Sequence, residues 1–302
     1  MSVLNNHIAR MIEFKYFSGA VLLTAGIMLS ACSSDDTTPE PQVQRTFSLT
    51  VDAAKGGYVD AAKGDDVDDA ATRALTLNDD NLNASWATTE HVYVQGRFVS
   101  NSSLFWFQGS IQPMSAGKTT RLNGTITLPE RSEISIDEAI GTPHSLTLQF
   151  PCSGEPNYTE QKGTLADIAA NYDYARADNV RFDIVGDHIE GVLSANFVNQ
   201  QAIVKFVLYD DAIKDSDEPI NASSLTISAS GLVTMEGDKT ETLTITPTSP
   251  TNEIWAALRG INNTGVTLTA IVDGKTYTFT QSDVTFENGK FYIIEAYLSK
   301  PS

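Results

Sequence analysis

The chain has 302 residues, of which 41% are hydrophobic and 19% are charged, so it contains enough apolar side chains for sizeable cores. Its formal net charge at pH 7 is -18. A surface this acidic repels phosphate backbones and anionic headgroups, which excludes nucleic acid as a partner and membrane association driven by charge. The two cysteines, Cys32 and Cys152, cannot build a disulfide framework or a zinc site of clustered cysteines.

The first segment predicts an export signal. An uncharged apolar run from Phe17 to Ala31 follows a basic start, and it is shorter than the roughly 20 residues that a transmembrane helix needs. The run ends in LSAC, and small residues directly before a cysteine resemble the lipobox of bacterial lipoproteins. We therefore predict a lipoprotein signal peptide over residues 1–31 and lipidation of Cys32; the alternative is a buried cysteine in a short helix.

Residues 32–44 predict a flexible tether, because they are polar, acidic and contain proline. Asp35 and Asp36 resemble the surface-export signal of bacteroidete lipoproteins, or they belong to an ordinary solvated linker. Since the chain is acidic, lipid and not charge must hold it at the membrane. Together these features predict a lipid-anchored precursor of an exported protein.

From residue 45 onward, apolar and polar residues alternate, which is the pattern of half-buried β-strands. Phe47, Leu49 and Val51 form the first apolar set, separated by threonine and serine. The same alternation recurs at residues 121–128, 145–150, 202–208 and 266–272. Many short strands favour β-sandwiches. We expect an all-β protein with two sandwiches in tandem, over residues 45–186 and 187–302, joined near Gly186.

Two kinds of local signal interrupt the strands. The dipeptides Asp273-Gly274 and Asn288-Gly289 tolerate the positive φ of tight turns and predict hairpins. The segment TLADIAANYDYA, at residues 164–175, has apolar residues on one helical face. Thr164 and Asp167 resemble a helix start cap, so this segment predicts a helix or a short connector.

The residues offer no arrangement that predicts an enzyme, a cofactor or a metal site. The histidines, His7, His91, His144 and His188, are far apart and none has metal-ligand spacing. The sequence contains no nucleophile elbow and no phosphate-binding loop. The acidic run Asp65–Asp69 lacks the glycine and the glutamate that a calcium-binding loop requires.

Several segments, taken in order, carry a family resemblance. They are the lipobox, the strand near residue 47, TRALTL, HVYVQG, GTLADIAANYDYA, NFVNQQAIVKFVL and KTYTFTQSDVTFENGKFYIIEAYL. This order and spacing resemble the fimbrillin family, the lipoprotein pilins of bacteroidete (type V) pili. The resemblance implies two transthyretin-like β-sandwich domains and an outer-membrane lipoprotein precursor at the cell surface. It also implies a structural role in a surface fimbrium that serves cell adhesion.

The resemblance also implies a maturation step. An arginine-specific surface protease, similar to a gingipain, cuts a loop near the start, the first strand leaves, and a strand of another pilin subunit fills its groove. The matching positions are Arg73 and Ala74 for the cut and Phe47, Leu49 and Val51 for the removable strand. The implied partners are this protease, other pilin subunits, a host or bacterial receptor and, before processing, a lipid anchor. Arg73 is otherwise a surface residue that opens a strand.

The residues before Arg73 are consistent with an exposed loop. The hexapeptide VDAAKG occurs twice between residues 51 and 64, and glycine, alanine and aspartate dominate the segment. A duplication costs little in a loop, because doubling the length adds only about 0.6 kcal/mol. We therefore assign Lys55 and Lys63 to the same accessible loop, where proteases find extended backbone.

Two questions of role stay open in the sequence. Only residues 299–302 follow the last clear strand, whereas stalk pilins of the family donate a strand from the C-terminal end; this favours a tip or minor subunit, with an uncleaved anchor as the alternative. The competing function is a surface lipoprotein that binds glycans and does not polymerise. That function requires exposed aromatic residues, for which Trp86, Trp106 and Trp255 are candidates.

Overall fold

The computed structural model describes residues 45–60, 75–78, 81–100, 103–128, 144–186, 188–213, 218–234 and 241–300. Most of these residues lie in β-strands, so the predicted all-β class is confirmed. None of the helices in these ranges is long and apolar enough to cross a membrane. The predicted signal peptide, the lipidated Cys32, the tether and the acidic run Asp65–Asp69 lie outside the described residues.

The described elements follow one another in a simple order. They are β1 (Arg45–Lys55), β2 (Val59–Asp60), β3 (Thr76–Asn78), β4 (Asn81–Asn83), β5 (Val92–Ser100), β6 (Ser103–Pro113), β7 (Thr119–Leu128), β8 (His144–Phe150), α1 (Leu165–Asn171), β9 (Ala175–Phe182), β10 (Ile184–Val185), β11 (His188–Ile189), β12 (Leu193–Asn199), β13 (Ala202–Asp210), a 3₁₀ turn (Asp211–Ile213), β14 (Ser224–Ala229), β15 (Thr242–Ile245), β16 (Glu253–Leu258), β17 (Ile261–Val272), β18 (Lys275–Phe286) and β19 (Lys290–Leu298).

Seven strands close into a barrel in the order β1, β12, β9, β8, β5, β6 and β7, where β7 pairs again with β1. The predicted alternation is present along the ring, since every second residue of β8 is buried. Inward-facing side chains from all seven strands fill the barrel; they include Phe47, Leu49, Val51, Val94, Phe107, Leu122, Leu148, Ala177 and Phe197. The barrel therefore has one apolar core to which β1 contributes directly.

The strands from β13 onward, together with β2, form two four-stranded sheets that pack face to face. One sheet has the order β16, β13, β19 and β2, and the other has the order β15, β14, β17 and β18. Their facing residues build a second core, which includes Val204, Phe206, Leu225, Ile227, Ile254, Leu268, Ala270 and Leu298. This half of the chain has the layered arrangement of a β-sandwich.

A third apolar cluster covers the outer face of the sheet that contains β16. Trp255 and Ala257 point into this cluster, whereas the alternate residues of β16 point into the sandwich core. The helix α1 adds Ile168 to the cluster. Because both faces of the sheet are covered, β16 is a continuous buried run and not an alternating strand.

The predicted helix is present, although it is shorter than the sequence segment. It begins with the predicted cap, in which the Thr164 hydroxyl accepts a hydrogen bond from the Asp167 backbone amide over 3.1 Å. It ends at Asn171, and the chain enters β9 at Ala175. Between them, Asp173 contacts Lys55 at the end of β1.

One of the two predicted hairpins is confirmed and the other is wrong. Asp273 and Gly274 have φ values of 50° and 72° and join β17 to β18, which pair as neighbours. Gly289 also has positive φ, at 75°. However, β18 and β19 lie in different sheets, because β19 pairs with β13 and β2. The dipeptide fixes the local backbone but not which strands pair.

The first core extends further along the chain than the predicted joint near Gly186. Strand β12 pairs with β1 and β9, and its inward residues Leu193 and Phe197 belong to the barrel core. The second core begins at Ala202. Two strands, β11 and β12, thus lie between the predicted joint near Gly186 and the start of the second core. The tandem two-domain organisation itself stays a prediction.

Candidate functional site: the groove filled by the first strand

The predicted removable strand is β1, and it lies between two neighbours. It pairs antiparallel with β7 from Arg45 to Ala54 and parallel with β12 from Val51 to Lys55. Both of its hydrogen-bonding edges are therefore used along its second half. Removing one strand from this position would leave a groove with two open strand edges, a ready template for another chain.

The inner face of β1 supplies the apolar contacts that the sequence predicted. Phe47, Leu49 and Val51 are each at most 2% exposed. The Phe47 ring packs edge to face on Phe107, with 6.0 Å between ring centroids. The outer face is polar, and there Asp52 accepts a 2.9 Å hydrogen bond from the exposed Arg121 side chain. The two faces thus differ as a half-buried strand requires.

Lys55 is the last residue of β1, and the prediction that it lies in an accessible loop is wrong. It continues the inward phase of the strand and is only 2% exposed. Its ammonium nitrogen lies 2.8 Å from Asp173 Oδ2 and 3.5 Å from Glu90 Oε1. The same nitrogen lies 3.9 Å from the ring centroid of Phe150 and 5.2 Å from that of Trp86.

We call these four partners, Glu90, Asp173, Trp86 and Phe150, the Lys55 pocket. A buried charge is tolerated only when it is paired and hydrogen-bonded, and aromatic faces attract cations further. Glu90 Oε2 also accepts a hydrogen bond from the Ala87 amide over 3.0 Å. Burial raises the pKa of Glu90, while the positive charge of Lys55 acts in the opposite direction. A cation in the pocket therefore keeps the pKa of Glu90 lower than burial alone would set it.

The chain beyond β1 continues through the fold. At Gly56 an added Cβ would lie 2.8 Å from the Phe197 carbonyl oxygen, so only glycine fits this close approach. The Asn199 side chain donates hydrogen bonds to the carbonyls of Gly56 and Gly57, over 2.9 and 3.2 Å. Tyr58 then exchanges two backbone hydrogen bonds with Leu82, of 2.8 and 3.0 Å. The backbone here is fixed by these contacts.

Strand β2 follows directly and pairs parallel with β19 in the sandwich sheet. Residues 45–60 thus contribute first to the barrel and then to the sandwich. The first VDAAKG copy, from Val51 to Gly56, lies in the barrel wall, and the second copy begins in β2. The prediction that the repeat is tolerated because it lies in a loop is wrong for the first copy. Val51 and Ala53 are core residues.

Tyr58 extends the polar network below the Lys55 pocket. Its hydroxyl donates a 3.2 Å hydrogen bond to Asp173 Oδ1 and accepts a short one from the Gln201 side-chain amide. The pKa of Tyr58 is raised well above its ordinary value, first by burial and then by the negative charge of Asp173. Burial also raises the pKa of Tyr172 to about 12.

Because their pKa values are raised, Tyr58 and Tyr172 should ionise at a higher pH than exposed tyrosines. Raised folded-state pKa values mean that the phenols stabilise the fold fully below about pH 10 and lose that contribution as the pH rises further. We expect absorbance at 295 nm between pH 10 and about 11 to lack most of the ionisation of Tyr58 and Tyr172 until the chain unfolds. The Tyr58→Phe variant should leave the native titration step unchanged; a smaller native step would contradict the prediction.

The remaining candidate residues have ordinary surroundings. His144 is buried against Phe182, whereas His91 and His188 are exposed. Cys152 is an exposed free thiol. Within the described ranges, no three His, Cys, Asp or Glu residues are grouped to hold a metal ion.

The tryptophan side chains that are described are buried. Trp86 packs edge to face on Phe150 and Phe197 in the barrel core. Trp255 stacks on Phe291 with 5.5 Å between centroids. The structure does not describe the side chain of Trp106, and Arg73 and Ala74 lie outside the described residues. Neither described tryptophan presents a face to which a sugar could stack.

Comparisons with known proteins found similar solved structures but no similar sequence. No protein-family model matches the sequence, and no curated protein sequence matches it. A similar solved structure is a fimbrial protein from Bacteroides ovatus ATCC 8483, with 11% identity, a TM-score of 0.38, and coverage of 85% of this chain and 50% of that one. The chain thus spans half the length of that protein.

For two further solved structures, the similar region covers nearly the whole of the other protein. A candidate cell adhesion protein from Bacteroides fragilis NCTC 9343 has 12% identity and a TM-score of 0.44, with 84% of this chain and 94% of that chain covered. A fimbrial assembly protein from Parabacteroides distasonis ATCC 8503 has 12% identity and a TM-score of 0.39, with 85% and 93% covered. All three likenesses are at low sequence identity, and two of the three are to fimbrial proteins.

Proposed function

We propose that this protein is the precursor of a structural subunit of a surface fimbrium that serves cell adhesion. Its first strand occupies a groove that a strand of another subunit takes over during assembly. The observation that supports this role is the position of β1. It is a single strand at the start of the described chain, it uses both edges, and it presents alternating anchors to one core.

The exchange requires that the first segment be cut from the rest. We propose that an arginine-specific surface protease cleaves between Arg73 and Ala74. The cut would separate β1 and β2 from β3 and all later strands while leaving the barrel core otherwise intact. Before this step, lipid on Cys32 would hold the precursor at the outer membrane.

The geometry of the last strand favours a tip or minor subunit. β19 pairs with β13 along residues 291–298, a pairing that the proposed cut leaves in place, and its residues Phe291, Ala296 and Leu298 are buried. Releasing it as a donor would expose apolar surface in the subunit's own sandwich. A subunit that accepts a strand without donating its last one fits this arrangement. The glycan-binding alternative gains no support from the buried Trp86 and Trp255.

The proposed cleavage is tested by replacing Arg73 with alanine in the exporting bacterium. We expect the variant to keep residues before position 73 and to form no polymers, whereas the parent chain should begin at Ala74 in surface fimbriae. N-terminal sequencing of surface material and electron microscopy measure the two results. Arg45→Ala is the matched control and should assemble normally. Undiminished fibres from the Arg73 variant would refute the proposal.

A further inference from the structure

The Lys55 pocket has a consequence for the incoming strand. We propose that the strand which replaces β1 must carry a lysine or arginine at the position that Lys55 now occupies. This inference rests on the proposed strand exchange and adds the chemistry by which the groove recognises its partner. The occupant is thus an extended segment of another subunit with alternating apolar residues that end in a basic one.

The pocket stays with the body of the protein when the first segment leaves. Glu90, Asp173, Trp86 and Phe150 all lie after the proposed cleavage position, whereas Lys55 and Tyr58 lie before it. Cleavage and departure of the segment therefore remove the ammonium group that contacts both carboxylates. Asp173 also loses its hydrogen bond from the Tyr58 hydroxyl.

Side chains differ in how well they can fill the vacated Lys55 pocket. Glu90 and Asp173 are 4% and 7% exposed, and aromatic rings flank the place of the missing cation. An apolar side chain would leave both carboxylates without the ammonium that Lys55 supplies in this buried place, which is strongly unfavourable. An acidic side chain would add repulsion. Lysine or arginine restores both the ion pairs and the contact with the rings.

The backbone hydrogen bonds around Lys55 fix the position of this basic residue in the incoming strand. The Lys55 amide donates to the Lys118 carbonyl over 3.0 Å, and the Gly56 amide donates to the Phe197 carbonyl over 3.1 Å. Because Gly56 approaches Phe197 too closely for a Cβ, the residue after the basic one is expected to be glycine. The groove therefore selects an apolar, alternating strand that ends in Lys-Gly or Arg-Gly.

The test uses the full chain cut with an arginine-specific protease and fluorescent peptides with the sequence of residues 45–58. Exchange of each peptide into the cut protein is followed by fluorescence anisotropy. We expect the Lys55→Met peptide to bind about a hundredfold more weakly than the parent peptide, and the Lys55→Arg peptide to bind nearly as well. Arg45→Met, which removes one positive charge at an exposed position, is the matched control and should change binding little.

Protein variants locate the effect in the pocket. In the Asp173→Asn protein, we expect the preference for the lysine peptide over the methionine peptide to fall at least tenfold. Equal binding of both peptides to the parent protein would overturn the cation requirement while leaving strand exchange intact. Binding of no peptide would refute strand exchange, and the requirement would fall with it.

One chemical outcome would also overturn the proposal. The ammonium of Lys55 lies within hydrogen-bonding distance of the Asp173 carboxylate. If the two condensed to an amide with release of one water, β1 could not leave. Mass spectrometry of the denatured, cut chain distinguishes the cases. Separate fragments without the loss of a water support exchange, and a joined product that is lighter by one water refutes it.

Discussion

The Lys55→Met variant of the intact chain should lose about 3 kcal/mol of unfolding free energy at neutral pH. The substitution keeps the length of the side chain but leaves Glu90 and Asp173 buried without the ammonium that lies 3.5 and 2.8 Å from them. Chemical denaturation followed by fluorescence measures the loss. The effect should be large because Glu90 and Asp173 are almost completely buried, at 4% and 7% exposed.

The control for this prediction is an exposed ion pair on the same barrel. Arg121 and Asp52 join β7 to β1 over 2.9 Å, but both side chains are more than half exposed, at 53% and 57%. Exposed pairs contribute about 0–1 kcal/mol, so Arg121→Met should cost less than 1 kcal/mol. Equal losses from the two substitutions would show that the Lys55 pocket has no special role in stability.

The pH dependence of the same variant gives an independent check. Lys55 counteracts the burial that raises the pKa of Glu90, so its loss raises that pKa further. A carboxyl with a raised folded-state pKa favours the fold below its unfolded pKa, and this contribution is lost as the pH rises through the folded pKa. The deficit of Lys55→Met against the parent chain should therefore be smaller near pH 4.5 than near pH 8.

The alternating pattern predicted β1, β7, β8, β13 and β17 because burial on one face imposes a period of two. Phe47, Leu49 and Val51 are buried as predicted, and so is the inward face of β8. The same pattern does not say which sheet a strand joins. β12 alternates as clearly as β13, yet it closes the barrel while β13 opens the sandwich. Sheet assignment depends on pairing between distant residues, which a period cannot show.

The sequence did not predict the Lys55 pocket because lysine side chains are normally exposed. Lys55 nevertheless follows Phe47, Leu49, Val51 and Ala53 at the same spacing of two, and that phase was the available signal for burial. Its partners could not be found in this way. Glu90 and Asp173 lie outside regular strands and are far from Lys55 in sequence, so only the folded barrel brings them together.

A second large effect is expected for retention of the first segment after cleavage. Burial of Phe47, Leu49 and Val51 contributes roughly 1.5–3 kcal/mol for each side chain, and pairing with β7 and β12 adds to this. We therefore expect the segment to stay bound to the cut protein in native buffer and to leave only when a competing strand or denaturant is present. Size-exclusion chromatography followed by denaturing mass spectrometry detects the retained segment.

Leu49→Ala should convert this stable association into a weak one. Leu49 is fully buried, and truncating such a leucine costs about 2–5 kcal/mol, which weakens retention by more than tenfold. Ser48→Ala is the matched control because Ser48 is the neighbouring residue on the exposed face of β1. If exchange limits assembly, Leu49→Ala should also accept a competing strand faster after cleavage. Retention that is unchanged by Leu49→Ala would mean that the inner face of β1 does not hold the segment, and the groove would then be no acceptor for a donated strand.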